Sequence, residues 1–173
     1  MRLPLTPVHP KPVVLERPRI KLPPAGGLEG DEAYGRVVSI GVEPQTIVTI
    51  FGITTAMWSQ KVKAELLDAA SLTSQAIVFW EGWSRKSLIV DDTSNETITW
   101  GPYDKKMMVE LTFFHKKEAH GGWSLSEIKH DKMKEFVADD LKTGISVIPV
   151  DDSGHGTQDY QNTTLTVSRM MLF

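Results

Sequence analysis

The sequence predicts an α+β fold: a mainly antiparallel β-sheet body with about two helices, preceded by an extended proline-rich arm. Three observations carry this expectation. Short runs rich in Val, Ile and Thr recur at hairpin spacing, with Gly, Pro, Asn and Asp between them. Two stretches carry an apolar stripe or a capping pattern at helical spacing. Seven of the 10 prolines fall within the first 24 residues, and each fixes φ and removes a backbone donor. The chain divides accordingly into an arm, residues 1–30, and a globular domain, residues 31–173.

Within the arm, Arg2, Lys11, Arg17, Arg19 and Lys21 face only Glu16 and Glu29. The whole chain has a net charge of −3, so a mildly basic arm precedes an acidic body. Val13, Val14, Leu15, Ile20 and Leu22 are good strand formers. They suit strand addition to a sheet edge, or a groove, on a neighbouring copy. The expected result is a homo-oligomer built by arm exchange, with AGGLEG at residues 25–30 as the flexible joint.

In the body, residues 36–40 and 45–51 read as strands around the turn at 41–44. Thr54 or Thr55 can cap a helix over residues 56–70, because Trp58, Val62, Leu66 and Ala69 recur at intervals of four, four and three. Residues 76–80, 86–90 and 96–100 are strand-like. Residues 107–115 alternate, with Met107, Val109, Leu111 and Phe113 on one face. A short strand over 123–128 and a helix over 131–142 with Gly144 after it follow. Strands over 145–150 and 163–173 close the domain.

Familiar catalytic signatures are missing from the sequence. There is no GxGxxG, no GxxxxGK[ST] and no GxSxG. Zero Cys excludes a disulfide framework, a thiolate zinc site and a cysteine nucleophile. The stretch DDSGHGTQD at 151–159 packs Asp151, Asp152, Ser153, His155 and Asp159 together. A nucleophilic triad draws its members from separate elements, so this reads as a solvated loop. His115 and His120 stand five apart, where a zinc helix needs four, so they read as surface-loop histidines. No catalytic residue, cofactor site or metal site is therefore predicted. The first residues hold no apolar signal core and no run is long enough to cross a bilayer, so a reducing, intracellular setting is expected.

Five indoles, Trp58, Trp80, Trp83, Trp100 and Trp123, must partly fill the core. Trp83, beside Arg85 and Lys86 in a predicted turn, is the one expected to meet a partner or membrane. The acidic body gives no strong nucleic-acid signal; only the arm and Lys105, Lys106, Lys116 and Lys117 could neutralise phosphates.

The stretch KKEAHGGWSLSEIKH at 116–130 follows a strand with a lysine pair, a small-residue turn and a W-x-L-x-x-I-x-H pattern. It resembles a segment near the C terminus of animal rhabdovirus matrix proteins, at Lys116, Lys117, Gly121, Trp123, Leu125, Ile128 and His130. The proline-rich leader is similar to that of the compact plant rhabdovirus matrix proteins, although LPPA at 22–25 is not a PPxY motif. The resemblance implies a non-enzymatic viral structural protein that links neighbouring copies and bridges nucleocapsid and envelope. It would occur in the virion and host cytoplasm. Contacts to nucleocapsid or an anionic membrane surface would fall on Lys11, Arg17, Arg19, Lys21, Trp83, Lys116 and Lys117. A tailed-phage tail, baseplate or head-completion subunit is the structural alternative. A small enzyme or ligand-binding protein with a site near His155 or His115 is the alternative of another class.

Overall fold

Alternation with period two, rather than any helical stripe, decides this fold. A computed structural model describes residues 37–91, 93–117, 120–128, 134–138, 142–152 and 162–172, and every regular element among them is a strand. In chain order these are β1 (Val37–Val42), β2 (Thr46–Thr54), β3 (Ser59–Asp68), β4 (Ser74–Gly82), β5 (Ile89–Val90) and β6 (Thr97–Trp100). Then come β7 (Met107–Lys116), β8 (Ser124–Leu125), β9 (Glu127–Ile128), β10 (Lys134–Ala138), β11 (Thr143–Asp151) and β12 (Thr163–Met171).

The strands form two six-stranded sheets. One runs β1-β7-β3-β4-β5, with β8 also on β7; the other runs β10-β11-β12-β2-β6, with β9 also on β11. Every pairing is antiparallel. The strands expected at 36–40 and 45–51 exist, but they are not hairpin partners: β1 pairs with β7 and β2 with β12 and β6.

The expected α+β class is corrected to all-β among the described residues. The helix placed at 56–70 is the strand β3. Trp58, Val62 and Leu66 stand four apart, a spacing that both a helical face and a strand face satisfy. Gln60 and Ala64 fill the even positions between them and are buried, while Lys61, Lys63 and Glu65 alternate outward. Their charges pair as a strand's do, Lys61 with Glu81 across the β3–β4 pair and Lys63 with Glu65 along β3 at 2.7 Å. The helix placed at 131–142 is corrected too: residues 134–138 are β10, hydrogen-bonded along the edge of β11.

Inward side chains of both sheets make one core, including Val62, Ala64, Leu66, Val109, Leu111 and Phe113 from the first and Val48, Ile50, Ile148, Val150, Leu165 and Val167 from the second. Trp80 and Trp100 belong to it. Two segments cross between the sheets and lace their sides together. Residues 86–90 leave the edge of β2, where Thr54 N–H donates to Lys86 O and Leu88 N–H to Gly52 O, and join β4 as β5. Residues 124–128 leave the edge of β7 as β8 and reach β11 as β9.

Gly52 is required by close approach: a Cβ there would lie 2.8 Å from Leu165 Cδ1, 2.9 Å from Leu88 Cδ1 and 3.1 Å from the Thr164 carbonyl. Gly52→Ala is expected to cost about 1–2 kcal/mol by overpacking, readable as a lowered urea midpoint at unchanged m-value.

Candidate functional site

At one end of the sandwich the core turns polar. Gln60 and His115 face inward from the first sheet, and Thr54 and Thr163 from the second; all four are buried. Thr163 Oγ1 donates to Gln60 Oε1 at 3.2 Å, and Asn162 Nδ2 donates to Asp152 Oδ2 at 2.9 Å. The Asn162 carbonyl gathers the β2–β3 connection, accepting from Thr54 Oγ1 at 2.7 Å and from the N–H groups of Thr55 and Ala56. Asp151 and Asp152 are buried here as well, so the start of the predicted solvated loop is interior; residues 153–161 lie outside the described residues.

His115 corrects the expectation of a surface-loop histidine. It is 4% exposed, continues the inward face of β7, and shares a 3.1 Å hydrogen bond between Nδ1 and Ser126 Oγ. Ser126 is itself buried, at the point where the chain crosses from β8 to β9. Burial first, and the nearby Lys117 charge second, pull the His115 pKa from 6.5 down to about 4. The ring is therefore neutral at neutral pH and stacks on Trp58, with centroids 6.0 Å apart and planes 25° from parallel.

Around this polar end stand three tryptophans, each carrying a lysine on its ring. Lys117 Nζ lies 4.8 Å from the Trp58 ring centre and Lys86 Nζ 5.6 Å from that of Trp83. Trp123 takes two, Lys61 at 4.8 Å and Lys116 at 5.0 Å, against the outer face of the first sheet. Trp58 is half-buried and Trp83 is 57% exposed. The loops that bear these two are tied together, Ser84 N–H donating to Ala56 O at 2.9 Å. Met57, immediately before Trp58, is 92% exposed. Ser84 and Arg85 both hold φ at 57°, the left-handed region that non-glycine residues enter at a cost of about 1–2 kcal/mol each. Strain of this kind is retained where a loop must aim its side chains.

Of the residues singled out in the sequence, the structure brings Trp83, Lys116 and Lys117 to this end. Lys11, Arg17, Arg19 and Lys21, the arm residues Val13, Val14, Leu15, Ile20 and Leu22, and also His155, lie outside the described residues. Trp58 and Lys86 were missed as site residues, Trp58 because its spacing assigned it to a core helix. The inward alternation of β7, continued two residues past Phe113, was the signal that could have found His115. Among the described residues no cluster of three His, Asp or Glu groups could hold a metal ion.

No protein-family model and no curated protein matches the chain. Solved structures do. The C-terminal domain of the BC2L-C lectin from Burkholderia cenocepacia matches with a TM-score of 0.49 and 12% identity, over 78% of this chain and 96% of that one. The Ralstonia solanacearum high-affinity mannose-binding lectin matches with 0.47 and 10%, over 75% and 93%. The Chromobacterium violaceum lectin CV2L, in complex with alpha-methyl-fucoside, matches with 0.44 and 11%, over 76% and 93%. With strands where the mixed α+β body required helices, the expectation of a viral matrix-like assembly protein is corrected.

Proposed function

We propose that this protein is a non-enzymatic carbohydrate-binding module whose site is the loop end around Trp58 and Trp83, and that it takes a sugar bearing a negative charge. The observation that carries the reading is the pair of indoles held on one end of the sandwich by mutually hydrogen-bonded loops, with cations on their rings. Trp83, 57% exposed, offers a large, flat apolar surface with a polar rim, to which the apolar face of a pyranose is complementary, while Trp58, stacked on His115, walls the site beside it. Lys86, Lys117 and Arg85 supply donors that a carboxylate or sulfate would engage. The groups of the site are fixed in advance by the strained turn and the Asn162 carbonyl, which lowers the ordering cost of binding. The proposal stands on this geometry; the solved lectins share only the outline of the fold.

Screening the protein against arrayed neutral, uronic, sialylated and sulfated glycans, followed by titration calorimetry, tests it. Trp83→Ala is expected to weaken binding at least about tenfold, or 1.4 kcal/mol, while leaving the melting temperature within a degree or two. Lys86→Gln with Lys117→Gln is expected to weaken the binding and flatten its salt dependence. Binding to no glycan, or binding indifferent to Trp83, overturns the reading.

A further inference from the structure

The outer faces of the two sheets differ in a way that composition does not require. On the first sheet the outward positions carry Lys61, Lys63, Glu65, Glu81, Glu110 and Lys116, as a solvated antiparallel face should. On the second sheet, strands β2, β6, β12 and residues 143–149 of β11 place only Thr, Ser, Pro and apolar side chains outward. No outward residue of those strands is charged, in a chain that is 24% Asp, Glu, Lys and Arg.

The face is also continuous. Phe136, Ile145, Ser168, Thr49 and Thr99 lie side by side across all five strands, and the next row reads Lys134, Val147, Thr166, Phe51 and Thr97, which puts the charged position at the β10 margin. Phe51, Ile53, Phe136, Ile145 and Met170 are between 37% and 57% exposed. Exposed apolar surface scattered singly needs no partner, whereas a contiguous sheet of it marks an interaction site.

We propose that this face is the interface of a symmetric homodimer, occupied by the same face of a second copy of this chain. Charge selects that occupant. A partner presenting a charged surface would bury those charges against β2, β6, β12 and residues 143–149 of β11, which offer no counter-ion, at a cost of several kcal/mol per ion. The same strands of another copy bring none. Area agrees. Outward positions, four each on β2, β11 and β12, three on β10 and two on β6, at about 4.8 Å by about 6.8 Å apiece, give roughly 550 Å² per copy and about 1,100 Å² in all. That clears the roughly 1,000 Å² expected of a biological interface. Two twisted sheets packed face to face at about 10 Å interdigitate their side chains as they do inside a sandwich. A two-fold axis makes the contact self-complementary and closed, so assembly stops at two. The threonines suit such a face: each presents a methyl, and hydroxyls can pair within it, as Thr49 and Thr99 do at 3.4 Å.

Sedimentation equilibrium of the full chain from 1 to about 200 μM reads the result directly. The expected mass is twice the 19.3 kDa of one chain. Phe51→Glu and, separately, Ile145→Lys put like charges opposite one another across the two-fold axis. Each is expected to raise the dimer dissociation constant at least about a hundredfold, with circular dichroism unchanged and the melting temperature matching that of the unaltered chain diluted to the point where it is monomeric. A monomer throughout the range for the unaltered chain overturns the proposal. So does a dimer that persists in both variants, which would use another surface. A monomer that dimerises only when residues 1–36 are deleted would give the face to that segment, and a monomer that binds neutral lipid vesicles through Phe51 would give it to a membrane. Either of these overturns the proposal too.

Discussion

Trp80→Ala is expected to lower the unfolding free energy by about 3–5 kcal/mol, the range for emptying a buried aromatic site. Trp80 is completely buried in β4, opposite Val62 on one side and Val90 on the other. It therefore packs where residues 86–90 cross between the sheets, and the cavity it leaves cannot collapse without pulling that crossing inward. Its Nε1 has no hydrogen-bond partner among the described residues. A buried donor left unpaired costs about 1–3 kcal/mol, so Trp80→Phe sheds that penalty along with part of the volume. The phenylalanine variant is expected to lose less than half of what the alanine variant loses. Urea denaturation of the three proteins in parallel checks both statements, and a phenylalanine variant that loses as much as the alanine variant would overturn the second.

Acidification is expected to have the second largest effect, through His115. Its folded pKa of about 4 lies below the ordinary 6.5, so between those values the unfolded chain binds a proton that the folded chain refuses. Stability therefore falls as pH falls from about 6.5 to about 4, and the slope vanishes below that window. About 2.5 pKa units at 1.36 kcal/mol each is about 3 kcal/mol. Protonation would put a charge into the polar end of the core, beside Lys117 and against the Trp58 ring. Melting temperatures measured at pH 7, 6, 5 and 4 should fall progressively. In His115→Gln, which retains an amide that can pair with Ser126, the fall over that window should be much shallower.

Much of the strand content was legible. Residues 97–100 and the run from 163 alternate with many β-branched residues, 107–115 keeps an apolar residue at every second position as far as Phe113, 145–150 is a β-branched apolar run, and all are strands. Where the reading failed, the spacing was degenerate or the structure came from a neighbour. Trp58, Val62 and Leu66 satisfy two periods at once, and only Gln60 and Ala64 break the tie. Residues 134–138 include Lys134 and Glu135 and have no strand pattern of their own; pairing with β11 makes them a strand. How twelve strands divide between two sheets is a long-range fact, since β1 and β2 are consecutive yet belong to different sheets. For the loop end, sequence singled out Trp83, Lys116 and Lys117. It could not place Lys117 on Trp58 or Lys86 on Trp83, because those contacts depend on how separate connections converge.

The side lacing also governs what the margins of the sheets offer to other molecules. A long, straight margin of unpaired N–H and C=O groups is a template on which foreign strands stack into fibrils. Here β8 and β9 divert the chain before β1 and β10 can run the full length of β7 and β11, so the margin strands are short: six residues in β1, five in β10 and four in β6, while β4 meets β5 only at Trp80 and Glu81. Among the described residues no margin runs on for more than about six positions, which leaves amyloid-like growth only short starting ledges.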